Sequence, residues 1–187
     1  MLDLDSYIND KIERISYWVY KRMLDITTMH EELHYNINGI EIDFASGNKL
    51  SIESGAPKRG LNLYNTSLNF DEWDDDAIRV NMNEHPLIKR LIGKQITNTQ
   101  VWWCDNLWKS GGRTSGRKSY KQDLTISTED NGYFLCSSAE IVAEAIPSIY
   151  LLDSDEIVII TNEKIAKKNE LEKYGKNEFT RYKNPKT

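Results

Sequence analysis

The apolar residues near the start of the chain recur three or four positions apart, which is the spacing of one face of an α-helix. The residues in this pattern are Leu4, Ile8, Ile12, Ile15, Val19 and Met23. Asp3, Asp5 and Ser6 are suitable N-caps for such a helix. We therefore predict a helix over residues 4–24.

Strict alternation of apolar and polar residues replaces the helical spacing further along the chain. Ile40, Ile42 and Phe44 alternate before a Ser-Gly-Asn turn, and Leu50 and Ile52 alternate after it. This pattern is typical of a β-hairpin with one buried face. A second hairpin is predicted by the same signs, with Leu124 and Ile126 before a turn at residues 130–132 and Phe134 and Cys136 after it. We expect Ile42, Leu50, Ile126 and Phe134 to be buried.

The two predicted hairpins match each other at a constant offset of 84 residues. The matched pairs are Ile40 with Leu124, Ile42 with Ile126, Leu50 with Phe134, Ile52 with Cys136 and Ser54 with Ser138. We interpret this as a degenerate internal duplication within a single domain over residues 1–187, with possible repeats over 1–82 and 83–175.

Two further helices complete the predicted fold. Pro86 suits the first position of a short helix that ends at Gly93. From Asn162 the chain is rich in Lys and Glu, which predicts a C-terminal helix followed by a frayed tail over residues 176–187. The expected class is α+β, with helices packed on one face of an antiparallel sheet made from two helix-plus-hairpin repeats.

Composition narrows the class of protein. The chain has 187 residues, of which 39% are hydrophobic, and its mean hydropathy is −0.61. No apolar run approaches the length of about 18 residues that a transmembrane helix needs. The N-terminal stretch has neither the basic nor the apolar region of a signal peptide, so we expect a cytoplasmic protein without membrane contact. Two cysteines are too few for a disulfide framework.

Charge is unevenly distributed along the chain. Residues 162–187 contain eight Lys or Arg and four Glu, a net charge of +4, so the total of −5 leaves −9 for residues 1–161. A body this acidic disfavours nucleic-acid binding and suits a basic protein partner.

The sharpest catalytic pattern is His30-Glu31-Glu32-Leu33-His34, which fits H-E-x-x-H. In zinc metallopeptidases the two histidines lie one helical turn apart and bind the metal, and the glutamate acts as general base. Here no convincing third ligand follows the motif. We therefore expect no metal and no cofactor, and we keep a zinc-dependent hydrolase using His30 and His34 as an alternative.

Two charged stretches are candidate partner-binding surfaces. The first is acidic and contains Asp71, Glu72, Trp73, Asp74, Asp75 and Asp76. Trp73 would be a buried anchor there, and the carboxylates would attract a basic partner. The second is a predicted polar loop over residues 105–119 that contains Arg113, Arg117 and Lys118. Its glycines resemble a phosphate-binding loop, but a strand follows where that site needs a helix.

Several short sequences in the second half resemble small cytosolic immunity proteins of bacterial polymorphic-toxin and contact-dependent inhibition systems. They are Asp123-Leu124-Thr125-Ile126, Asn131-Gly132 and Asp155-Glu156-Ile157-Val158-Ile159. The resemblance implies a protein that binds a toxin domain and blocks it by occlusion, and it assigns no functional residue. An interaction protein of another role is the remaining alternative.

Overall fold

The computed structural model describes residues 2–21, 29–30, 33–54, 60–70, 76–110, 113–145, 148–164 and 181–183. Twelve strands lie within them: β1 Ile12–Tyr20, β2 Met29–His30, β3 Leu33–Ile37, β4 Gly39–Phe44, β5 Lys49–Ser54, β6 Leu61–Tyr64, β7 Ala77–Asn81, β8 Ile96–Ser110, β9 Arg113–Thr128, β10 Tyr133–Ala145, β11 Ser148–Ile160 and β12 Arg181–Lys183. One short α-helix, α1, spans Pro86–Lys89. Leu4–Tyr7 and Glu129–Asn131 are 3-10 turns.

The strands form two antiparallel sheets. Sheet 1 has the order β6-β5-β4-β1-β7, and sheet 2 has the order β12-β8-β9-β10-β11-β3-β2. The buried side chains of both sheets belong to one apolar core. The expected α+β class is therefore wrong, because the described part of the chain is mostly β-sheet and no helix layer covers a sheet face there.

A 3-10 turn and strand β1 replace the described part of the helix predicted over residues 4–24, and residues 22–24 of that prediction lie outside the described part of the chain. A register shift between Ile12 and Arg14 in the pairing with β4 allows Ile12 and Ile15 to face the core together. This irregularity gives the strand an apolar spacing of three, which is the helical signal. After it, Ile15, Tyr17 and Val19 alternate into the core as a strand requires.

Both predicted hairpins are present, and they pair in equivalent registers. Ile42 lies opposite Leu50 in the β4–β5 pair, and Ile126 lies opposite Phe134 in the β9–β10 pair. All four residues are buried, as expected. Gly47 and Asn131, also 84 residues apart, have φ values of 86° and 60°, so each turn depends on a residue that tolerates the left-handed region.

The equivalence extends beyond the hairpins to the strands around them. Ile15 pairs with Ile42 in sheet 1, and Thr99 pairs with Ile126 in sheet 2, so β1 and β8 correspond at the same offset of 84. Strands β6 and β7 flank the first three-strand unit, β5-β4-β1, as β11 and β12 flank the second, β10-β9-β8. The hydroxyl oxygens of Ser54 and Ser138, again 84 residues apart, lie 2.6 Å from each other.

One segment breaks this internal symmetry. The chain between β1 and β4 contains β2 and β3, and β3 joins sheet 2 by pairing with β11. Ile37 of β3 lies opposite Ile157 and is completely buried. A strand from the first half therefore completes the sheet of the second half.

The polar loop predicted over residues 105–119 is wrong, because β8 and β9 continue through it as a long hairpin. A short helix begins at Pro86 as predicted, but it ends at Lys89, and Gly93, with a φ of 77°, lies beyond its end. Asn162 accepts a hydrogen bond from the Lys164 amide, as a helix cap would, but residues 165–180 of the predicted C-terminal helix lie outside the described residues. Within the predicted tail, 181–183 form β12.

Helices that could cross a membrane are not found in the described ranges, since none there is long and apolar enough.

We predict that Phe134→Ala lowers the free energy of unfolding by about 3–5 kcal/mol, because the Phe134 side chain fills the core between the two sheets. Chemical denaturation measures the loss. Tyr64→Ala is the control, because Tyr64 is 38% exposed and its removal should cost much less. A loss below about 1 kcal/mol for Phe134→Ala would contradict the central position of this side chain.

Candidate functional site

The two histidines of the His30–His34 motif lie on the paired strands β2 and β3. Strands β2 and β3 pair His30 with Leu33 and Met29 with His34. Residues directly opposite each other share a face of the sheet, and neighbours along a strand alternate. Positions 30 and 34 therefore fall on opposite faces, whereas the zinc motif needs both histidines on one helical face.

His34 itself is buried between the two sheets. Its Nδ1 lies 3.0 Å from the hydroxyl of Tyr17, which projects from β1 of sheet 1. The His34 ring also meets the ring of His85 at right angles, with centroids 4.4 Å apart. His85 precedes α1, and its Nδ1 accepts a hydrogen bond from the Leu87 amide. This cluster joins β1, β3 and the start of α1.

The cluster favours neutral imidazoles. Burial, and to a smaller extent the neighbouring His85, lower the pKa of His34 to about 3. Burial also lowers the pKa of His85 and raises that of the Tyr17 hydroxyl. Among the residues that the structure describes, no group of three or more His, Cys, Asp or Glu side chains is placed to hold a metal ion. The described geometry thus supports a structural contact at His34.

The acidic stretch follows a segment that packs across the outer face of sheet 1. We call this segment, residues 66–70, the cover segment. Its Thr66 carbonyl accepts a hydrogen bond from the Ser51 hydroxyl at 2.6 Å. The Phe70 ring packs against Trp18, with centroids 5.3 Å apart. A Cβ at Gly39 would lie 2.6 Å from the Leu68 side chain and 2.9 Å from the Phe70 ring, so a larger residue at position 39 would displace these side chains.

A buried carboxylate holds the cover segment to the sheet. Glu41 projects from the outer face of β4, is only 1% exposed and accepts a hydrogen bond from the Leu68 amide at 2.8 Å. The Arg79 guanidinium from β7 lies 2.6 Å from the same carboxylate, and Lys49 lies 3.5 Å from it. One side chain therefore connects β4, β7 and the cover segment. A buried charge of this kind is tolerated only when it is paired and hydrogen-bonded.

Asp43 extends this charged network along β4. Arg14 and Lys49 approach its carboxylate to 2.6 and 2.7 Å, and Arg79 to 3.5 Å. Burial opposes ionisation of Asp43, but the hydrogen bonds from Lys49 and Arg14 outweigh it and lower its pKa. The outer face of sheet 1 thus carries ion pairs among four strands, since Lys49 comes from β5.

The structure fixes both ends of the acidic stretch. Phe70 ends the cover segment, and the Asp76 carbonyl accepts a hydrogen bond from the Lys21 amide at 2.9 Å where β7 begins. The residues between them lie outside the described part of the chain: Asp71, Glu72, Trp73, Asp74 and Asp75. Strand β7 is the edge of sheet 1. We call residues 71–81, the acidic stretch together with β7, the acidic edge.

The three basic candidate residues lie in a strand and not in the predicted loop. Arg113, Arg117 and Lys118 occupy β9, opposite Ser110, Leu107 and Asn106 of β8. The structure describes their backbone pairing only, so it does not bring them into a described site.

Sequence reasoning missed Glu41, Asp43 and Arg79. Glu41 and Asp43 alternate with the core residues of β4, which is the pattern of a solvent-facing side. The available signal was the pair Leu68 and Phe70, two apolar residues in a stretch too irregular to be a strand, immediately before the acids. Apolar side chains of this kind are stabilised by packing against another surface, and here that surface is the outer face of sheet 1.

No protein-family model, no curated protein and no solved structure matches this chain.

We predict that Glu41→Gln costs about 2 kcal/mol of stability, because it removes the closest counter-charge of the partly buried Arg79, whereas Lys49 keeps its pair with Asp43. The Leu68 amide should also exchange its hydrogen faster, since it donates to Glu41. Denaturant unfolding and amide exchange measure the two effects. Glu84→Gln is the control, because its pair with Lys89 is exposed and its loss should leave stability unchanged. Equal behaviour of both variants would contradict the role of Glu41.

We predict that stability falls as the pH drops from about 6.5 to about 3, because the unfolded chain protonates His34 while the folded protein keeps it neutral. The slope due to His34 reaches about 1.4 kcal/mol per pH unit. His34→Gln should flatten this part of the curve, and His85→Gln, at a less buried position, should flatten it less. Urea unfolding at a series of pH values tests this. A His34→Gln curve parallel to that of the unmodified protein would disprove it.

Proposed function

We propose that this chain is an immunity-type protein that binds a basic bacterial toxin domain through the acidic edge and blocks it by occlusion. The observation that carries the proposal is the fixed attachment of the acidic stretch at both ends. Phe70 packs on Trp18 at one end, and Asp76 bonds to Lys21 at the other. The acidic stretch, whose sequence holds five carboxylates and Trp73, thus joins the cover segment on sheet 1 to an edge strand of the same sheet.

The net charge of the chain supports a positively charged partner. Residues 1–161 carry a net charge of −9, so the body of the protein attracts a basic domain over a long range. The nearby cations on the outer face of sheet 1 are already paired: Arg79 with Glu41, and Arg14 with Asp43. The positive charges of Arg79 and Arg14 therefore offset the negative charge of the β4 carboxylates more than that of the acidic stretch.

The pairing of β2 with β3 favours this proposal over the zinc-hydrolase alternative. The hydrolase needs both histidines on one helical turn, and the observed register separates them onto two faces. A protein that only binds a partner does not require the two histidines to share one face.

Growth rescue tests the proposed role directly. A basic toxin domain chosen as the candidate partner is expressed in a bacterial host, with and without the chain. We expect growth to be restored by the chain and by a control variant changed far from the acidic edge, such as Glu129→Gln, and restored less by the triple variant Asp74→Asn, Asp75→Asn and Asp76→Asn. Growth arrest in the presence of the folded chain would refute the immunity role.

Binding kinetics should separate the two parts of the acidic edge. Neutralising Asp74, Asp75 and Asp76 should slow association and weaken its salt dependence, because rim charges act mainly before contact. Trp73→Ala should instead speed dissociation, by an amount equivalent to about 2 kcal/mol or more, because it removes a desolvated anchor. Surface-binding measurements against the toxin domain resolve both rates. If both variants bind like the unmodified protein, the docking site is not the acidic edge.

A further inference from the structure

The two halves of the chain contact each other reciprocally. The Asn9 amide donates a hydrogen bond to the Ile96 carbonyl at 2.9 Å. Gly93 and Ile12 are the counterparts of these residues at the offset of 84, and the Gly93 amide donates to the Ile12 carbonyl at 2.7 Å. An interface in which position i contacts position j, and j in turn contacts i, is a two-fold interface. An approximate two-fold axis therefore relates the halves.

A second pair of hydrogen bonds repeats this reciprocity. The Ile12 amide donates to the Lys94 carbonyl at 3.0 Å, and the Ile96 amide donates to the Asp10 carbonyl at 2.9 Å. Lys94 is the counterpart of Asp10 at the same offset. All of these bonds join main-chain groups, which every residue other than proline provides, so they do not depend on the side chains at these positions.

Two places lie on the axis itself, because residues there contact their own counterparts. Lys11 forms an antiparallel bridge with Gln95, which follows it by 84 residues. The hydroxyl oxygens of Ser54 and Ser138, with the same separation in sequence, lie 2.6 Å apart. Only residues beside a two-fold axis can meet their own equivalents in this way. The internal symmetry of this chain is thus that of a two-fold homodimer.

Side chains beside the axis differ between the halves, although the geometry is the same. The Asp10 carboxylate accepts a hydrogen bond from the Ser46 hydroxyl. At the equivalent positions, the Lys94 ammonium pairs with the Asp130 carboxylate. The same two positions are bonded in both halves by different chemical groups. The two-fold arrangement therefore tolerates a change of side chains, as expected where main-chain contacts determine it.

One short segment decides which two halves meet. The first half ends with β7, the second half begins at Pro86, and we call residues 82–85, which join them, the connection. The connection makes a turn in which the His85 amide donates to the Met82 carbonyl at 2.9 Å. The Asn83 side chain holds this turn to sheet 1 through two main-chain groups at the start of β1, each at 3.1 Å.

We propose that a second copy of this chain binds at the two-fold interface by exchange of halves, so that the first half of each copy packs on the second half of the other. The described contacts between the halves, including the pairing of β3 with β11, are then the same as in the monomer. Only the connection changes, from a turn to an extended segment. Exchange of this kind is a low-cost route to a dimer, because it needs no new interface.

Protein concentration decides between the two forms. Within one chain, a short connection gives each half an effective concentration of the other on the order of millimolar. The monomer is therefore favoured at lower protein concentrations, and the exchanged dimer is favoured at higher ones or when the connection cannot turn. The exchanged dimer carries two acidic edges, since residues 71–81 lie wholly within the first half.

Exchange of halves does not depend on the toxin role, because the residues on the two-fold axis lie outside the acidic edge. Failure of growth rescue would remove the toxin role and leave the exchange of halves standing. Failure of cross-linking between chains would do the reverse.

Shortening the connection is the first test. Deleting Asn83 and Glu84 removes the residues between Met82 and His85, so the chain can no longer make this turn. We expect the deletion variant to sediment as a dimer at a concentration at which the unmodified chain is a monomer. Inserting Gly-Ser-Gly-Ser after Glu84 is the control, because a longer, flexible connection permits the turn and should leave a monomer. A folded deletion variant that stays monomeric would contradict the proposal.

A cysteine pair beside the axis identifies the exchanged geometry. Because the Ser54 and Ser138 oxygens are in contact, thiols in their place should form a disulfide on mild oxidation. In the deletion variant, Ser54→Cys with Ser138→Cys should link two chains into a covalent dimer on a non-reducing gel. The same pair in dilute protein with the unmodified connection should link within one chain. A dimer of the deletion variant whose disulfides lie within single chains would overturn the proposal, because its copies would be associated through another surface.

A mixture of two single variants tests exchange without any change to the connection, and it decides the outcome alone if the deletion variant does not fold. Chains with Ser54→Cys and chains with Ser138→Cys are unfolded together in denaturant, refolded at about millimolar concentration and oxidised. We expect a covalent dimer that joins position 54 of one chain to position 138 of the other, since exchange brings these positions together.

The control for this mixture is the same two variants folded separately at low concentration and then mixed and oxidised. Mass spectrometry of the linked peptides distinguishes the 54-to-138 link from any product of the native Cys104 and Cys136. We expect the 54-to-138 link in the co-refolded mixture and not in the control. Equal yields of this link in the two samples would overturn the proposal.

Discussion

The structure depends on the burial of two alternating hairpin faces against each other. Ile42 and Leu50 on sheet 1, and Ile126 and Phe134 on sheet 2, each present one side to a shared core and are almost completely buried. Because a strand alternates its side chains, a shift of one residue in either hairpin would turn its apolar side to solvent. This constraint fixes both registers, and the remaining strands extend the sheets that it defines.

With the inner faces committed to the core, the outer face of sheet 1 is the side available for other roles. Glu41 organises that face, because its buried carboxylate pairs with Arg79 and also accepts a hydrogen bond from the Leu68 amide. The cover segment is thereby fixed, and the acidic stretch begins from a defined point at Phe70. A buried polar contact thus fixes the segment from which the acidic stretch continues along the chain.

The sequence allowed the paired hairpins and their offset to be predicted, because alternation and turn residues are local signals. It did not reveal that β1 is a strand, because the irregularity near Ile12 imitates helical spacing. The extension of β8 and β9 through the polar residues 105–119 was also hidden, since strand pairing there has no apolar alternation to indicate it. In the candidate site, the acidic residues were visible as a charge run, but the ion pairs of Glu41 depend on contacts between strands far apart in the sequence.

The transfer of β3 into sheet 2 has a consequence for biosynthesis. Ile37 meets Ile157, a separation of 120 residues, so β3 emerges from the ribosome long before the strand that it pairs with. Pairing between strands this far apart in the sequence raises the contact order and slows folding. The first half, although it contains a complete set of sheet 1 strands, must wait with β3 unpaired until the second half has been synthesised. Each of the two similar halves is therefore an unsuitable unit for independent expression, and folding becomes a late event of translation.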